Sequence, residues 1–86
     1  LQGIVAVETH NGGNRDREND RAFQVACDRR LPTLGGSDCH KVGAVGRCAT
    51  EFAGAVTDMA SFIVAVRSGE CRGAYYAPHA RRMVAT

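Results

Sequence analysis

Apolar and polar positions change rhythm along this chain, and the changes mark out its elements. Residues 3–8, GIVAVE, form a β-branched apolar run too short for a helix. Its apolar side chains point both ways, the pattern of a strand buried on both faces of a parallel sheet. THNGGN follows and predicts a loop, because Asn-Gly-Gly does not continue a strand cheaply. From Asp16 to about Arg30 the rhythm becomes helical, with Asn19, Ala22, Phe23, Ala26 and Cys27 on one face. Asp16 and Glu18 stand in the first turn and Arg29 and Arg30 in the last, as the helix dipole favours, and Pro32 stops the helix. PTLGG then predicts a second short strand, which runs into the hexapeptide GGSDCH.

Beyond His40 the pattern loosens. KVGAVGR reads as an irregular connection and CATEF as a short strand. A second helix is framed by Thr57 or Asp58 as N-cap and Gly69 just past its end, with Met59, Phe62, Ile63 and Val66 on one face. Residues 71–86, ending in AYYAPHARRMVAT, read as an irregular basic tail behind a unit spanning 1–70. The order strand–helix–strand–linker–helix predicts α/β architecture with a parallel sheet and right-handed crossovers. Two or three strands do not complete such a sheet. The opening LQGIVAVE also reads as mid-domain sequence, so the chain is expected to be a piece of a longer protein.

Composition narrows the partners. Eighty-six residues make one small domain, and 44% hydrophobic with 23% charged residues is ordinary for a globular chain. A net charge of +2 gives no support for long nucleic acid or an anionic membrane. No apolar run approaches the roughly 18 residues of a membrane span, and no signal-peptide pattern is present. Four cysteines, Cys27, Cys39, Cys48 and Cys71, contain no C-x-x-C pair, so the sequence gives no structural zinc site. A disulfide framework stays open on count alone, beside the reading of four mostly buried thiols in a reducing cytoplasm.

Asp38 and His40 carry the candidate chemistry. On an extended strand, residues two apart project to one side, so the pair would point together with Cys39 turned away into packing. Ligands of α/β folds bind at strand carboxyl ends, and Gly35 and Gly36 clear space just before the pair. A carboxylate beside an imidazole suits zinc, manganese or iron. The bare D-x-H spacing is weak evidence for a metal, and an Asp capping the next loop with a nearby surface His explains it more simply.

The surrounding segments give this pair a context. GIVAVETHNGGN, then Glu18-Asn19, then LPTLGGSDCH, then VGRCATEF resemble the C-terminal part of PHP (polymerase and histidinol phosphatase) domains, over about Gly3 to Arg67. The resemblance implies the C-terminal β-α-β-(loop)-α part of a distorted (βα)7 barrel, incomplete in this chain. Such a barrel holds two or three divalent ions (Zn, Mn or Fe) that activate water to hydrolyse phosphoesters. Asp38 and His40 match the family's last two metal ligands. The H-x-H motif that supplies earlier ligands has no counterpart here, since the only histidines are His10, His40 and His79. The other ligands are therefore expected from an N-terminal remainder of the PHP domain, which is a partner of this segment.

In that picture Glu8, His10 and Asn11 fall on the substrate rim. Glu8 would orient a ligand or sit as a buried, hydrogen-bonded carboxylate, and His10 stands where the family often has an aromatic residue. Asn11 to Asn14 could offer backbone N–H groups to a phosphate, or simply form a tight turn. Arg47 could neutralise a substrate phosphate or face solvent. Lys41 is weaker, Phe52 reads as core, and His79, Arg81 and Arg82 read as solvated. The leading function is part of a metal-dependent phosphoesterase acting on a small phosphorylated molecule or nucleotide, in the cytoplasm and away from membranes. The alternatives are a non-catalytic structural or interaction module derived from a PHP domain, and a small redox or zinc protein using the cysteines. The isolated segment is expected to self-associate and to be inactive.

Overall fold

A computed structural model describes residues 3–86; Leu1 and Gln2 of the opening LQGIVAVE lie outside the described residues. Strand β1 (Val7–Asn11), helix α1 (Asp16–Arg29) and strand β2 (Thr33–Gly36) form a βαβ unit in which β1 and β2 pair in parallel. A short 3-10 turn (Val42–Ala44) leads to β3 (Cys48–Phe52), α2 (Met59–Ser68), β4 (Cys71–Ala77) and β5 (Arg82–Ala85). These last three strands make a separate antiparallel sheet in the order β3–β4–β5. The fold is thus mixed α/β with two helices and two sheets.

Three expectations are corrected. The first strand is not residues 3–8: it starts at Val7 and takes in Thr9, His10 and Asn11 of the expected loop. What decides this is the partner, because Val7 to Asn11 are the residues that face Thr33 to Gly36. Nor is β1 apolar on both faces, since Glu8 is exposed and Thr9 is buried. Residues 71–86 are not irregular: β4 pairs along all of β3 and β5 folds back on β4, with Pro78 in the turn between them. An antiparallel meander supplies backbone partners that a single strand could not show in its own sequence.

Local chemistry explains both helices. Glu18 accepts the Arg15 N–H at 2.8 Å across the first turn of α1. Arg30 closes the helix in a left-handed conformation, and the Leu31 N–H reaches back to the Ala26 carbonyl at 2.9 Å. Of its predicted inner face only Ala26 is fully buried; Asn19, Ala22 and Phe23 are half-buried and Cys27 is exposed. In α2, Asp58 caps the Ser61 N–H at 2.7 Å and Gly69 turns left-handed at the far end. Its predicted apolar face is largely open: Met59 is 70% exposed, and Ala65 and Val66 are the buried residues.

The two sheets meet through two threonines and two glycines. The Thr50 hydroxyl accepts the Gly35 N–H at 2.9 Å and lies 2.8 Å from the Gly35 carbonyl, bracketing one residue of β2 from β3. Thr33, buried on β2, accepts the Gly73 N–H of β4 at 2.8 Å. Thr50 and Gly73 face each other in the β3–β4 ladder, so both bonds fall at one crossing point. A Cβ on Gly35 would strike the Ala49 carbonyl, and one on Gly73 would strike the His10 ring. Only glycine lets the backbones approach this closely. Around the crossing, small side chains make up the core: Ala26, Ala44, Cys48, Ala65, Cys71 and Ala74, with Val66.

Candidate functional site

The carboxyl ends of β1 and β2 lie side by side at Asn11 and Gly36, and the chain there builds two adjoining turns. Four amides of the first turn already have acceptors. Asn11 N–H donates to Asn19 Oδ1, Gly12 N–H to the Gly36 carbonyl, Gly13 N–H to Asn11 Oδ1, and Asn14 N–H to the Asn11 carbonyl. Of the two readings of Asn11 to Asn14, the tight turn is the one present, and its donors hold the loop itself rather than facing a phosphate. Asn19 is the residue that clamps it: its Nδ2 also donates to the Asn11 carbonyl at 3.0 Å. The sequence placed Asn19 on the inner face of a helix without showing this role. A polar residue on an otherwise apolar face, one turn into a helix that follows an Asn-Gly loop, was the available signal.

Asp38, Cys39 and His40 form the second turn. They lie beyond β2, which ends at Gly36, and all three are exposed. Asp38 adopts a left-handed backbone conformation (φ 47°), so the strand argument that aligned Asp38 with His40 does not hold. It also leaves Cys39 exposed rather than packed. A different device relates the pair: His40 Nδ1 lies 3.0 Å from the Asp38 carbonyl oxygen. A carbonyl only accepts, so Nδ1 carries the proton of this contact, and the neutral ring then has its lone pair on Nε2. The Asp38 carboxylate sits over the first turn, where a Cβ on Gly13 would lie 3.2 Å from Oδ2. Gly12 lies beneath the Ser37 carbonyl, so the two turns are packed together.

The remaining candidates separate. Glu8 is exposed, not buried, and accepts Asn11 Nδ2 at 3.1 Å, which uses both ends of the Asn11 amide within the loop. The register of β1 slips between Glu8 and His10. His10 lines a cleft of about 830 Å³ between α1, β1 and the antiparallel sheet. Its walls include Asn19, Phe23, Arg47, Tyr75 and Tyr76, and neither Asp38 nor His40 lines it. Arg47 is exposed at this cleft, while His10 is half-buried with both ring nitrogens hydrogen-bonded. Burial alone lowers the His10 pKa below its ordinary 6.5. Lys41, His79, Arg81 and Arg82 are exposed, as expected. Phe52 is half-buried and meets Phe62 edge to face at 5.8 Å.

All four cysteines are free thiols, which removes the disulfide framework; Cys48 and Cys71 are buried, Cys27 and Cys39 exposed. Burial pushes both buried thiols above their ordinary pKa.

Among the described residues no group of three His, Cys, Asp or Glu side chains gathers to hold a metal ion. Asp38 and His40 nevertheless fit as two members of a larger set. One is an accessible carboxylate, the other an imidazole whose Nδ1–H is fixed on a carbonyl, as metal-bound histidines are commonly held.

A βαβ unit with an exposed carboxylate–imidazole turn at its strand ends defines a class of α/β segment, and the family comparison narrows it. A family model described as PHP-associated matches residues 16–71. The chain belongs to this PHP-associated family, which ties it to PHP-domain proteins. No curated protein and no solved structure matched. No helix among the described residues is long and apolar enough to cross a membrane.

Proposed function

We propose that this chain is the C-terminal part of a PHP-type metal-dependent phosphoesterase and contributes two ligands, Asp38 and His40, to a metal site completed by other parts of a PHP domain. The observation that carries the reading is the His40 Nδ1 contact with the Asp38 carbonyl, which leaves Nε2 of the neutral ring as a free donor atom, two residues from an accessible carboxylate. Asp38 and His40 would hold a divalent ion (Zn, Mn or Fe) there, and the ion would supply Lewis acidity toward a phosphoryl oxygen and an activated water. Asp38 offers carboxylate oxygen and charge, and its own carbonyl sets the His40 tautomer. Gly12 and Gly13 keep the neighbouring turn low enough for the pair to be reached. Arg47 stands in the adjoining cleft with no carboxylate partner among the described residues, a free cation for a phosphoryl group. The substrate class is a small phosphorylated molecule or nucleotide, and the barrel that surrounds the site belongs to the same proposal.

One observation favours a second reading, a non-catalytic interaction module. Helix α2 leaves Met59, Ile63 and Val64 at 70%, 45% and 65% exposure, a face suited to contact with the rest of a PHP domain. Asp38→Ala and His40→Ala in the whole protein separate the two. Both variants should fold, lose bound metal and lose phosphoester turnover, while Cys39→Ala keeps both properties. Full metal content with normal turnover in the Asp38 and His40 variants would refute the ligand assignment. A whole protein with neither metal nor turnover would leave the interaction module as the answer.

A further inference from the structure

Asp38 is exposed, so burial does not hold its carboxylate in place, and its backbone stands in the left-handed region at φ 47°. Aspartate visits that region more readily than most residues, yet an exposed residue there needs support from its neighbours. The support comes from the turn against which it packs. Gly12 N–H donates to the Gly36 carbonyl at 3.0 Å. A Cβ on Gly12 would lie 2.7 Å from the Ser37 carbonyl oxygen. One on Gly13 would lie 3.2 Å from Asp38 Oδ2 and 3.5 Å from the Asp38 carbonyl oxygen. The first turn thus bears in succession on Gly36, Ser37 and Asp38. His40 is held by its Nδ1 contact with the Asp38 carbonyl, at 3.0 Å. Whatever places Asp38 therefore places His40 as well.

The first turn has its own anchor, one turn into α1. Asn19 Oδ1 accepts the Asn11 N–H at 3.2 Å, and Asn19 Nδ2 donates to the Asn11 carbonyl at 3.0 Å. Asn14 Nδ2 lies 3.4 Å from the same Oδ1. Asn11 passes the constraint on, since its own Oδ1 accepts the Gly13 N–H at 2.8 Å. The path from α1 to the ligands runs through Asn19, Asn11, Gly13 and Asp38, with a hydrogen bond or a close contact at each step.

We propose, resting on the reading of Asp38 and His40 as metal ligands, that Asn19 is the positioning residue for both. Its amide fixes the glycine turn to α1, and that turn is the bed on which the ligand turn keeps one geometry before an ion arrives. Ligands ordered in advance bind more tightly than ligands the ion must order itself. Removing a side chain that orients ligands from behind typically weakens metal binding by about 10–100-fold. A clamp that served only the fold would loosen residues 11–14 and leave the ligand turn unchanged.

The test uses the whole protein, first without metal. Nitrogen-15 relaxation of the unmutated protein should give backbone order parameters of about 0.85 at Asp38, Cys39 and His40, and Asn19→Ala should drop them below about 0.6. Affinity for zinc alone, measured against a competing chelator, should fall about tenfold or more in Asn19→Ala. Gly13→Ala keeps the Asn19 clamp but sets a methyl against Asp38 Oδ2, so it should also lose zinc affinity. Asp58→Ala removes the cap of α2 and should bind zinc as the unmutated protein does. A mobile Asp38 turn in the unmutated metal-free protein would overturn the proposal, as would undiminished zinc affinity in Asn19→Ala. An equal loss in Asp58→Ala would overturn it too, because the effect would then be one of overall stability. Asp38→Ala separates the positioning role from the metal reading. Zinc lost there but kept in Asn19→Ala refutes the positioning role alone; zinc kept in Asp38→Ala refutes the ligand assignment, and the positioning role with it. Relaxation of the unmutated protein and zinc binding by Gly13→Ala keep the test decisive if Asn19→Ala fails to fold.

Discussion

Gly35→Ala tests the sheet crossing on which the site depends. The added methyl would run into the Ala49 carbonyl, with the Ala49 carbonyl carbon at 3.0 Å and His10 Cβ at 3.1 Å. The first obstacle is backbone and cannot rotate aside, so β2 has to move from β3. Overpacking of this kind costs about 1–3 kcal/mol. Displacing β2 also stretches the two Thr50 contacts with Gly35, at about 0.5–1.5 kcal/mol for each one weakened. A total of about 2–6 kcal/mol is expected with both contacts weakened. Stability of roughly 0.05–0.15 kcal/mol per residue makes that a large fraction of the whole for a chain of this size. The control is Gly43→Ala, where a Cβ meets nothing within 4 Å; it should change stability by less than about 0.5 kcal/mol. Urea unfolding followed by circular dichroism compares the two variants with the unmutated protein. Because Gly35 lies three positions before Asp38, the same variant should also weaken metal binding in the whole protein. Equal unfolding midpoints for Gly35→Ala and Gly43→Ala would refute the close-approach argument.

Other outcomes follow from single contacts. Asn19→Ala removes the clamp on Asn11 and leaves loop amides unpaired, so denaturant unfolding should show a loss of about 1–3 kcal/mol. Asp58→Ala should fray the start of α2, seen as reduced helical circular dichroism. The Ser61 bonds hold the Asp58 carboxyl below its ordinary 3.8, so in the native protein the cap is lost only as the pH falls below that value. Arg72→Ala should shift stability by no more than about 1 kcal/mol, because its pair with Glu51 at 2.9 Å is exposed on both sides. A thiol reagent should label Cys27 and Cys39 in the native protein and Cys48 and Cys71 only after unfolding, as peptide mass mapping can show.

The patterns legible in the sequence were those closed within a few residues. Both helices, the Asp58 cap, the Gly69 stop and the CATEF strand depend on neighbours near in sequence, and they appear where spacing and capping placed them. The parallel pairing of β1 with β2 followed from βα order, and the PHP resemblance from contiguous motifs around Gly35–His40. Contacts between distant segments decided the rest. Whether Val7–Asn11 or Gly3–Glu8 is the strand depended on which residues reach β2. The tail became β4 and β5 because β3 had an unpaired edge to offer. The left-handed turn at Asp38 broke the simple alternation that would have aligned it with His40, and a backbone carbonyl set the imidazole instead. The contacts of Asn19, Thr50 and Gly73 could not be read from the sequence, since each acts on a partner well outside its own turn or strand. A sequence records the preference of each segment, but a backbone donor finds its acceptor only after the sheets have met.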